Sequence, residues 1–161
     1  MKTIERTEYL NRIKNLKDTP DIKVITGIRR SGKSILMQEY IQYLKDNFND
    51  INVIFIDFMD LSFEHLKEYH ALHAYVEKRY VEGKSNYLFI DEVQMCPNFE
   101  LAVNSLYSKR KYDIYITGSN AFLLSADLAT LFTGRYIEIH IYPFSFKEYC
   151  NYYDNNHDIE K

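Results

Sequence analysis

The sequence predicts an α/β fold in which a parallel five-stranded sheet lies between helices on both faces. Short runs of β-branched and aromatic residues alternate with longer stretches of helical period along the 161 residues. Most of the short runs are apolar enough to be buried on both faces, as the strands of parallel sheets are. A chain of this length, 46% apolar and 27% charged, is the size of one domain with a sizeable core.

The elements follow one another in a regular order. Five strands are predicted at about Ile22–Thr26, Asn52–Asp57, Asn86–Ile90, Asp113–Thr117 and Tyr136–Ile141. The helices between them are predicted at about Lys33–Phe48, Ser62–Glu82, Phe99–Lys109 and Ala121–Phe132. These helix lengths suit crossover connections between parallel strands.

The two ends of the chain carry further elements. A leading helix is predicted near Arg6–Leu16, and the segment Pro143–Tyr149 is typical of the start of one more helix. We expect residues 1–150 to form the domain. Residues 151–161 are polar, so we expect a tail or the start of a linker to a further C-terminal region.

The strongest motif is the octapeptide Gly27–Ser34, which fits the phosphate-loop pattern G-x-x-x-x-G-K-[ST] at every fixed position. It follows an apolar strand and opens a helix, which is the setting that lets successive backbone N–H groups surround phosphate oxygens. The predicted phosphate-binding residues are Gly27, Ile28, Arg29, Arg30, Ser31, Gly32, Lys33 and Ser34. Lys33 is expected to reach the β- and γ-phosphates and Ser34 to ligate Mg²⁺. Arg29 and Arg30 contact phosphate or simply face solvent.

A second motif is the apolar strand that ends in Asp91 and Glu92. Ligands of open α/β sheets bind beyond the carboxyl ends of the strands, so Asp91 is predicted to hold Mg²⁺. Glu92 is predicted to orient the attacking water and accept its proton. This is the Walker B pattern, and its significance depends on the phosphate loop upstream.

Two weaker candidates lie further along the chain. Ser119 and Asn120 follow a buried strand and are candidate sensors of the γ-phosphate, although the same pair is also a good helix N-cap. Arg135 is a candidate arginine finger, a role often supplied by a neighbouring subunit. A structural ion pair or a solvated arginine is the alternative for Arg135.

Composition argues against several other classes of protein. The net charge is −3, and the basic residues are dispersed apart from Lys109–Lys111, which is more typical of a solvated helix end than of a nucleic-acid surface. Cys96 and Cys150 are too few and too isolated for a disulfide framework or a zinc site. There is no signal peptide or membrane-spanning run, so we expect a cytoplasmic protein.

The phosphate loop (the Walker A motif), the Walker B motif, the candidate sensor and the candidate arginine follow one another in that order. In this the chain resembles AAA+ ATPases, the additional-strand class of P-loop ATPases. The stretch Ile22–Ser34, and Gly134–Arg135 followed by Pro143–Phe146, is similar to uncharacterised prokaryotic ATPases that have a C-terminal domain of unknown function. The resemblance implies the three-layer P-loop NTPase fold with strand order 5-1-4-3-2, Mg-ATP hydrolysis and self-association. AAA+ proteins usually continue into a helical lid with a second sensor arginine, and this sequence departs from that pattern.

The predicted function is that of an ATPase core that hydrolyses Mg-ATP and is coupled to an unknown partner. One alternative is a nucleotide-gated switch with negligible hydrolysis. Another is a small-molecule kinase, which would share the phosphate loop. The Asp91–Glu92 pair suits activation of water better than phosphoryl transfer to a metabolite.

Overall fold

A computed structural model describes residues 7–28, 31–119 and 125–142, with the backbone alone for 125–127. Every recorded strand pairing is parallel, and the strand order is β2-β3-β4-β1-β5. Read from the other side, this is the expected 5-1-4-3-2. The strands are β1 (Ile22–Gly27), β2 (Ile51–Asp57), β3 (Ser85–Asp91), β4 (Tyr112–Ser119) and β5 (Tyr136–His140).

The described helices are α1 (Thr7–Asn15), α2 (Lys33–Asn47), α3 (Tyr69–Arg79), α4 (Phe99–Ser108) and α5 (Ser125–Phe132). The prediction of one helix over Ser62–Glu82 is wrong. A 3₁₀ helix covers Leu61–Lys67, and α3 then begins separately. Glu68 breaks the run because its extended backbone interrupts the helix and its carboxylate caps the N–H groups of His70 and Ala71. The predicted starts of helices at Ala121 and Pro143 lie outside the described residues.

The buried side chains form two clusters, one on each face of the sheet. Successive strand residues point to opposite faces, so Leu88 and Ile90 belong to one cluster and Tyr87 and Phe89 to the other. The first cluster contains buried residues of α3, α4 and α5, and the second contains buried residues of α1 and α2. The fold is therefore a three-layer α/β/α arrangement.

Because all five strands are parallel, their carboxyl ends meet at one edge of the sheet. We call this the carboxyl edge, and the opposite one, where the strands begin, the amino edge. Asp57 lies beside Asp91 in the register of β2 and β3, and Gly27 lies beside Ser119 in that of β1 and β4. The topology thus brings the residues of both predicted motifs to the same edge.

Candidate functional site

The loop between β1 and α2 is folded tightly at its first glycine. Gly27 has φ 155°, and a Cβ atom built there would lie 2.6 Å from the Ile141 carbonyl oxygen and 2.7 Å from Ser31 Oγ. A larger residue would displace the backbone of Ile141, just after β5. Gly32 has φ 97°, in the left-handed region, and is the last residue before α2 begins at Lys33.

The Lys33 ammonium group lies within this loop. It donates hydrogen bonds to the carbonyl oxygens of Gly27 at 3.1 Å and Ile28 at 2.9 Å, and the side chain is 4% exposed. The predicted lysine therefore lies against the first two residues of the predicted loop. Ser34 follows in the first turn of α2 with an exposed side chain.

Asp91 ends β3 as a buried carboxylate, 4% exposed. The hydroxyl of Thr117, on the neighbouring strand β4, donates to Asp91 Oδ1 at 2.5 Å. The backbone N–H of Glu92 donates to the same hydroxyl oxygen at 2.9 Å. One threonine therefore joins both acidic residues of the second motif.

The Glu92 backbone is left-handed, with φ 57° and ψ 53°, which is uncommon for a residue with a side chain. The side-chain amide of Gln94 donates to Glu92 Oε2 at 2.5 Å. Glu92 is thus held in an unusual conformation at the point where the chain leaves the sheet. Backbone strain of this kind occurs often at active sites.

Ser119, the last residue of β4, lies beside Gly27 of the phosphate loop. It is 3% exposed, and its hydroxyl makes no hydrogen bond within the part of the chain that the structure describes. A buried hydroxyl without a partner is uncommon in native structures and marks a position that a ligand or water can satisfy. The hydroxyl caps no described helix. Asn120 lies outside the described residues, as do Arg29 and Arg30.

Arg135 lies at the amino edge of the sheet, immediately before β5. Its carbonyl oxygen accepts a hydrogen bond at 2.9 Å from the N–H of Ile22, the first residue of β1. The phosphate loop begins at the other end of that six-residue strand, roughly 17 Å away at the usual rise per residue. The exposed Arg135 guanidinium lies 5.7 Å from the centre of the Tyr107 ring. The structure does not bring Arg135 to the phosphate loop of its own chain.

Three neighbouring residues of the site were missed in the sequence. Thr117 and Gln94 contact the acidic pair, as described above. Asp57 lies beside Asp91 in the sheet, and burial together with the nearby Asp91 carboxylate raises the pKa of Asp57, against a hydrogen bond from the Met59 N–H. An acidic residue at the end of a strand is a signal that could have found Asp57.

The donor set fits Mg²⁺ carried by a nucleotide better than Mg²⁺ held by protein alone. Among the described residues, no three His, Cys, Asp or Glu side chains converge to form a metal site. Mg²⁺ usually takes one or two carboxylates and completes its shell with phosphate oxygens and water. Asp91 provides a buried carboxylate with one oxygen, Oδ2, for which the structure records no hydrogen bond.

Within the residues that the structure describes, no helix combines the length and the apolar character needed to cross a bilayer.

The basic stretch Lys109–Lys111 begins just after α4 ends. Lys109 pairs with Glu77 at 3.3 Å, and Lys111 lies over the Tyr80 ring.

The site combines a glycine-bounded loop between a strand and a helix with a carboxylate pair on a non-adjacent strand of a 5-1-4-3-2 sheet. This combination defines a P-loop NTPase domain. The family model described as "AAA domain" matches residues 19–150. The chain belongs to this family, and its domain is an AAA+ P-loop ATPase domain.

Two curated relatives are uncharacterised proteins. One, from Haemophilus influenzae, is 40% identical over 150 residues, which are 92% of this chain and 38% of the relative. The other, from Methanocaldococcus jannaschii, is 30% identical over 159 residues, 98% of this chain and 34% of the relative. The chain therefore spans about a third of the length of these relatives.

Among solved structures, Cdc6p from Pyrobaculum aerophilum is similar with a TM-score of 0.62. The match covers 94% of this chain and 49% of Cdc6p at 13% identity. At that identity the likeness shows the fold alone. Family and fold together indicate a nucleotide-binding domain of the ATPase class.

Proposed function

We propose that this chain binds Mg-ATP at the carboxyl edge of the sheet and hydrolyses it to ADP and phosphate. The observation that supports this most is that one hydroxyl, Thr117 Oγ1, ties Asp91 to Glu92 on the same edge as the loop that holds Lys33. Neither motif alone would be as specific. Together they supply a cation, a buried carboxylate and a second carboxylate at one edge of the sheet.

In the proposed mechanism, the loop N–H groups and Lys33 hold the β- and γ-phosphates. Asp91 and Ser34 would hold Mg²⁺, which supplies charge neutralisation on the phosphates when bound. Glu92 orients a water molecule and accepts its proton as the water oxygen bonds to the γ-phosphorus. The bond from that phosphorus to the bridging oxygen breaks, and ADP leaves. Ser119 and Asn120 are proposed to contact the γ-phosphate.

The test of hydrolysis is ATP turnover by wild type and by Glu92→Gln. General-base catalysis contributes roughly 10²- to 10⁴-fold, so the variant should lose at least about 100-fold in turnover while still binding ATP. Glu100→Gln, a partly exposed carboxylate in the first turn of α4, is the matched control and should leave turnover unchanged. Equal turnover in wild type and Glu92→Gln would favour the nucleotide-gated switch instead.

We further propose that Arg135 acts on the site of a neighbouring copy in a homo-oligomer. Its place at the amino edge, far from its own phosphate loop, supports action between subunits. Mixing Glu92→Gln, which keeps Arg135, with Arg135→Ala, which keeps an intact site, should then restore turnover that neither has alone. Arg110→Ala is the control, because Arg110 is also exposed and lies near the same Tyr107 ring. A mixture no more active than the sum of its parts would remove Arg135 from this role.

We take residues 1–150 as the ATPase domain, a boundary supported by the end of the family match at residue 150. Residues 151–161 are proposed as a tail or the start of a linker. We place the protein in the cytoplasm, where ATP and Mg²⁺ are both supplied, with an unidentified protein partner as the recipient of the ATP cycle.

A further inference from the structure

The backbone of Glu92 requires outside support. Its φ of 57° lies in the left-handed region, where a side chain is disfavoured, and the chain turns there from β3 into the 3₁₀ turn Val93–Met95. Such a conformation persists only where neighbouring contacts over-determine it. Those contacts decide where the Glu92 carboxylate points.

Thr117 supplies the first contact. Its side chain is fully buried, and its hydroxyl oxygen accepts the Glu92 N–H at 2.9 Å while its proton is donated to Asp91. The backbone of Glu92 is therefore fixed relative to the Asp91 carboxylate. This contact fixes the backbone and leaves the side-chain torsions of Glu92 unrestrained.

Gln94 supplies the second contact. The backbone turn is closed by the Met95 N–H, which donates to the Glu92 carbonyl at 3.1 Å, and this turn brings the Gln94 amide back over Glu92. The amide N–H donates to Glu92 Oε2 at 2.5 Å. The amide orientation is unambiguous, because an ionised carboxylate only accepts hydrogen bonds.

The other end of the Gln94 amide makes no such contact. Its Oε1 atom is buried and has no hydrogen-bond partner among the described residues. Burying an unpaired acceptor is unfavourable, so the hydrogen bond to Glu92 is the recorded contact that favours this position of the amide. Among the described residues, the structure records no hydrogen bond for the other carboxylate oxygen of Glu92, Oε1.

We propose that Gln94 is a positioning residue that holds the Glu92 carboxylate in the orientation needed to accept a proton from the attacking water. The proposal rests on the proposed function, in which Glu92 is that base. Gln94 acts through Glu92 and is not assigned a contact with ATP. Its loss should therefore lower kcat and leave KM for ATP unchanged.

The first experiment compares kcat, KM and melting temperature for wild type and Gln94→Met, which keeps the length of the side chain and removes the amide. We expect kcat to fall roughly 10- to 100-fold, the cost of a misplaced catalytic group, with KM within about twofold. Gln42→Met is the matched control, since Gln42 donates at 2.8 Å to the Asp46 carboxylate on the exposed face of α2. The control should keep wild-type kcat. If Gln94→Met does not fold, Gln94→Asn keeps the amide but shortens its reach, and it should show the same loss of kcat.

The second experiment places Gln94→Met in a Glu92→Gln background. Because the proposed effect passes through the Glu92 carboxylate, the second substitution should leave the residual turnover of Glu92→Gln unchanged. An equal fractional loss in both backgrounds, or an unchanged kcat in Gln94→Met alone, would overturn the positioning role while leaving the proposed function standing. Equal turnover in wild type and Glu92→Gln would instead overturn the proposed function, and this inference with it.

Discussion

The two edges of the sheet each bury a lysine and an aspartate, and they use them differently. At the amino edge, the Lys23 ammonium pairs with the Asp113 carboxylate at 2.7 Å, and both side chains are almost fully buried. At the carboxyl edge, Lys33 donates to two backbone carbonyls, and Asp91 accepts from the neutral hydroxyl of Thr117.

The amino-edge pair is neutralised by its own partners. Asp113 also accepts hydrogen bonds from the Asp18 N–H and the Tyr115 hydroxyl, both at 2.8 Å. Burial raises the pKa of Asp113, and the Lys23 ammonium opposes that effect. The Lys23 and Asp113 charges are thus compensated within the protein, which favours a structural role for the pair.

Asp91 accepts its recorded hydrogen bond from a neutral hydroxyl, which leaves the carboxylate charge in place. Neutral donors and acceptors orient a charge without cancelling it. The comparison therefore predicts that substitutions of Lys23 and Asp113 change folding stability, whereas those of Lys33 and Asp91 change nucleotide binding and turnover.

The largest expected effect is at the amino edge. Lys23→Met leaves the Asp113 carboxylate buried without its counter-ion, which should cost about 3–5 kcal/mol in the free energy of unfolding. Chemical denaturation of wild type and variant measures the loss. Adding Asp113→Leu should recover part of it, because the unpaired charge is then gone. A loss below about 1 kcal/mol in Lys23→Met would contradict the structural role of this edge.

Thr117→Val tests the link between the two carboxylates. The variant keeps the side-chain shape but removes the buried hydrogen bond to Asp91 and the part-buried one from the Glu92 N–H. Unfolding should therefore become easier by about 1–3 kcal/mol. Turnover should fall as well, since Glu92 is no longer fixed relative to Asp91. Thr117→Ser, which keeps the hydroxyl, should restore most of both. If the serine variant behaves like the valine variant, the hydroxyl is not the group that matters.

Asp91→Asn should affect the magnesium-dependent part of ATP binding. We expect at least about a tenfold loss of ATP affinity in the presence of Mg²⁺ and little change in its absence. Substituting a residue that only hydrogen-bonds to a metal ligand already lowers metal affinity roughly 10- to 100-fold. Titration calorimetry in Mg²⁺ and in EDTA, which removes Mg²⁺, measures the two ATP affinities separately. Asp46→Asn, on the exposed face of α2, is the control. A loss that is the same with and without Mg²⁺ would mean that Asp91 is not a metal ligand.

The smallest effect is expected from a partly exposed contact at the start of β4. The Tyr112 hydroxyl donates to Glu77 Oε2 at 2.6 Å and, as the largest cause, lowers the pKa of Glu77 below its usual 4.5. A carboxyl group whose pKa is lower in the folded state stabilises the protein at pH values above its unfolded-state pKa. This stabilisation is lost as the pH falls through the folded-state pKa. Tyr112→Phe should thus cost under about 1 kcal/mol at pH 7, with a smaller difference near pH 3. Denaturation curves at pH 7 and near pH 3 test this prediction. A stability difference between wild type and variant that grows on acidification would contradict it.

Much of the fold could be predicted because parallel strands and crossover helices have distinct hydrophobic periods. The central residues of all five strands and the start of α2 at Lys33 agree with the sequence prediction. The break at Glu68 could not be predicted by periodicity, because the segments on either side share helical spacing. A side-chain cap decided it, and its geometry becomes visible only in the fold.

The residues of the site also fall into those that a local sequence pattern indicates and those whose contacts form only in the fold. Lys33 and the Asp91–Glu92 pair belong to local motifs with a mechanism, so the sequence alone indicates them. Thr117 resembled an ordinary strand residue, because threonine is favoured in strands for its shape. Its contact with Asp91 depends on the register of β3 against β4. Gln94 contacts Glu92 only because the Glu92 backbone is left-handed, and no pattern in the sequence predicts that conformation.

The most direct test of the contrast between the edges is the affinity for Mg-ATP of wild type, Lys33→Ala and the control Lys45→Ala, which removes an exposed lysine from the same helix. Hydrogen bonds to charged groups contribute about 1.5–3 kcal/mol, so Lys33→Ala should raise the Kd roughly 10- to 150-fold with the melting temperature little changed. Lys45→Ala should bind like wild type. An unchanged Kd in Lys33→Ala would contradict the assignment of this edge as the nucleotide site.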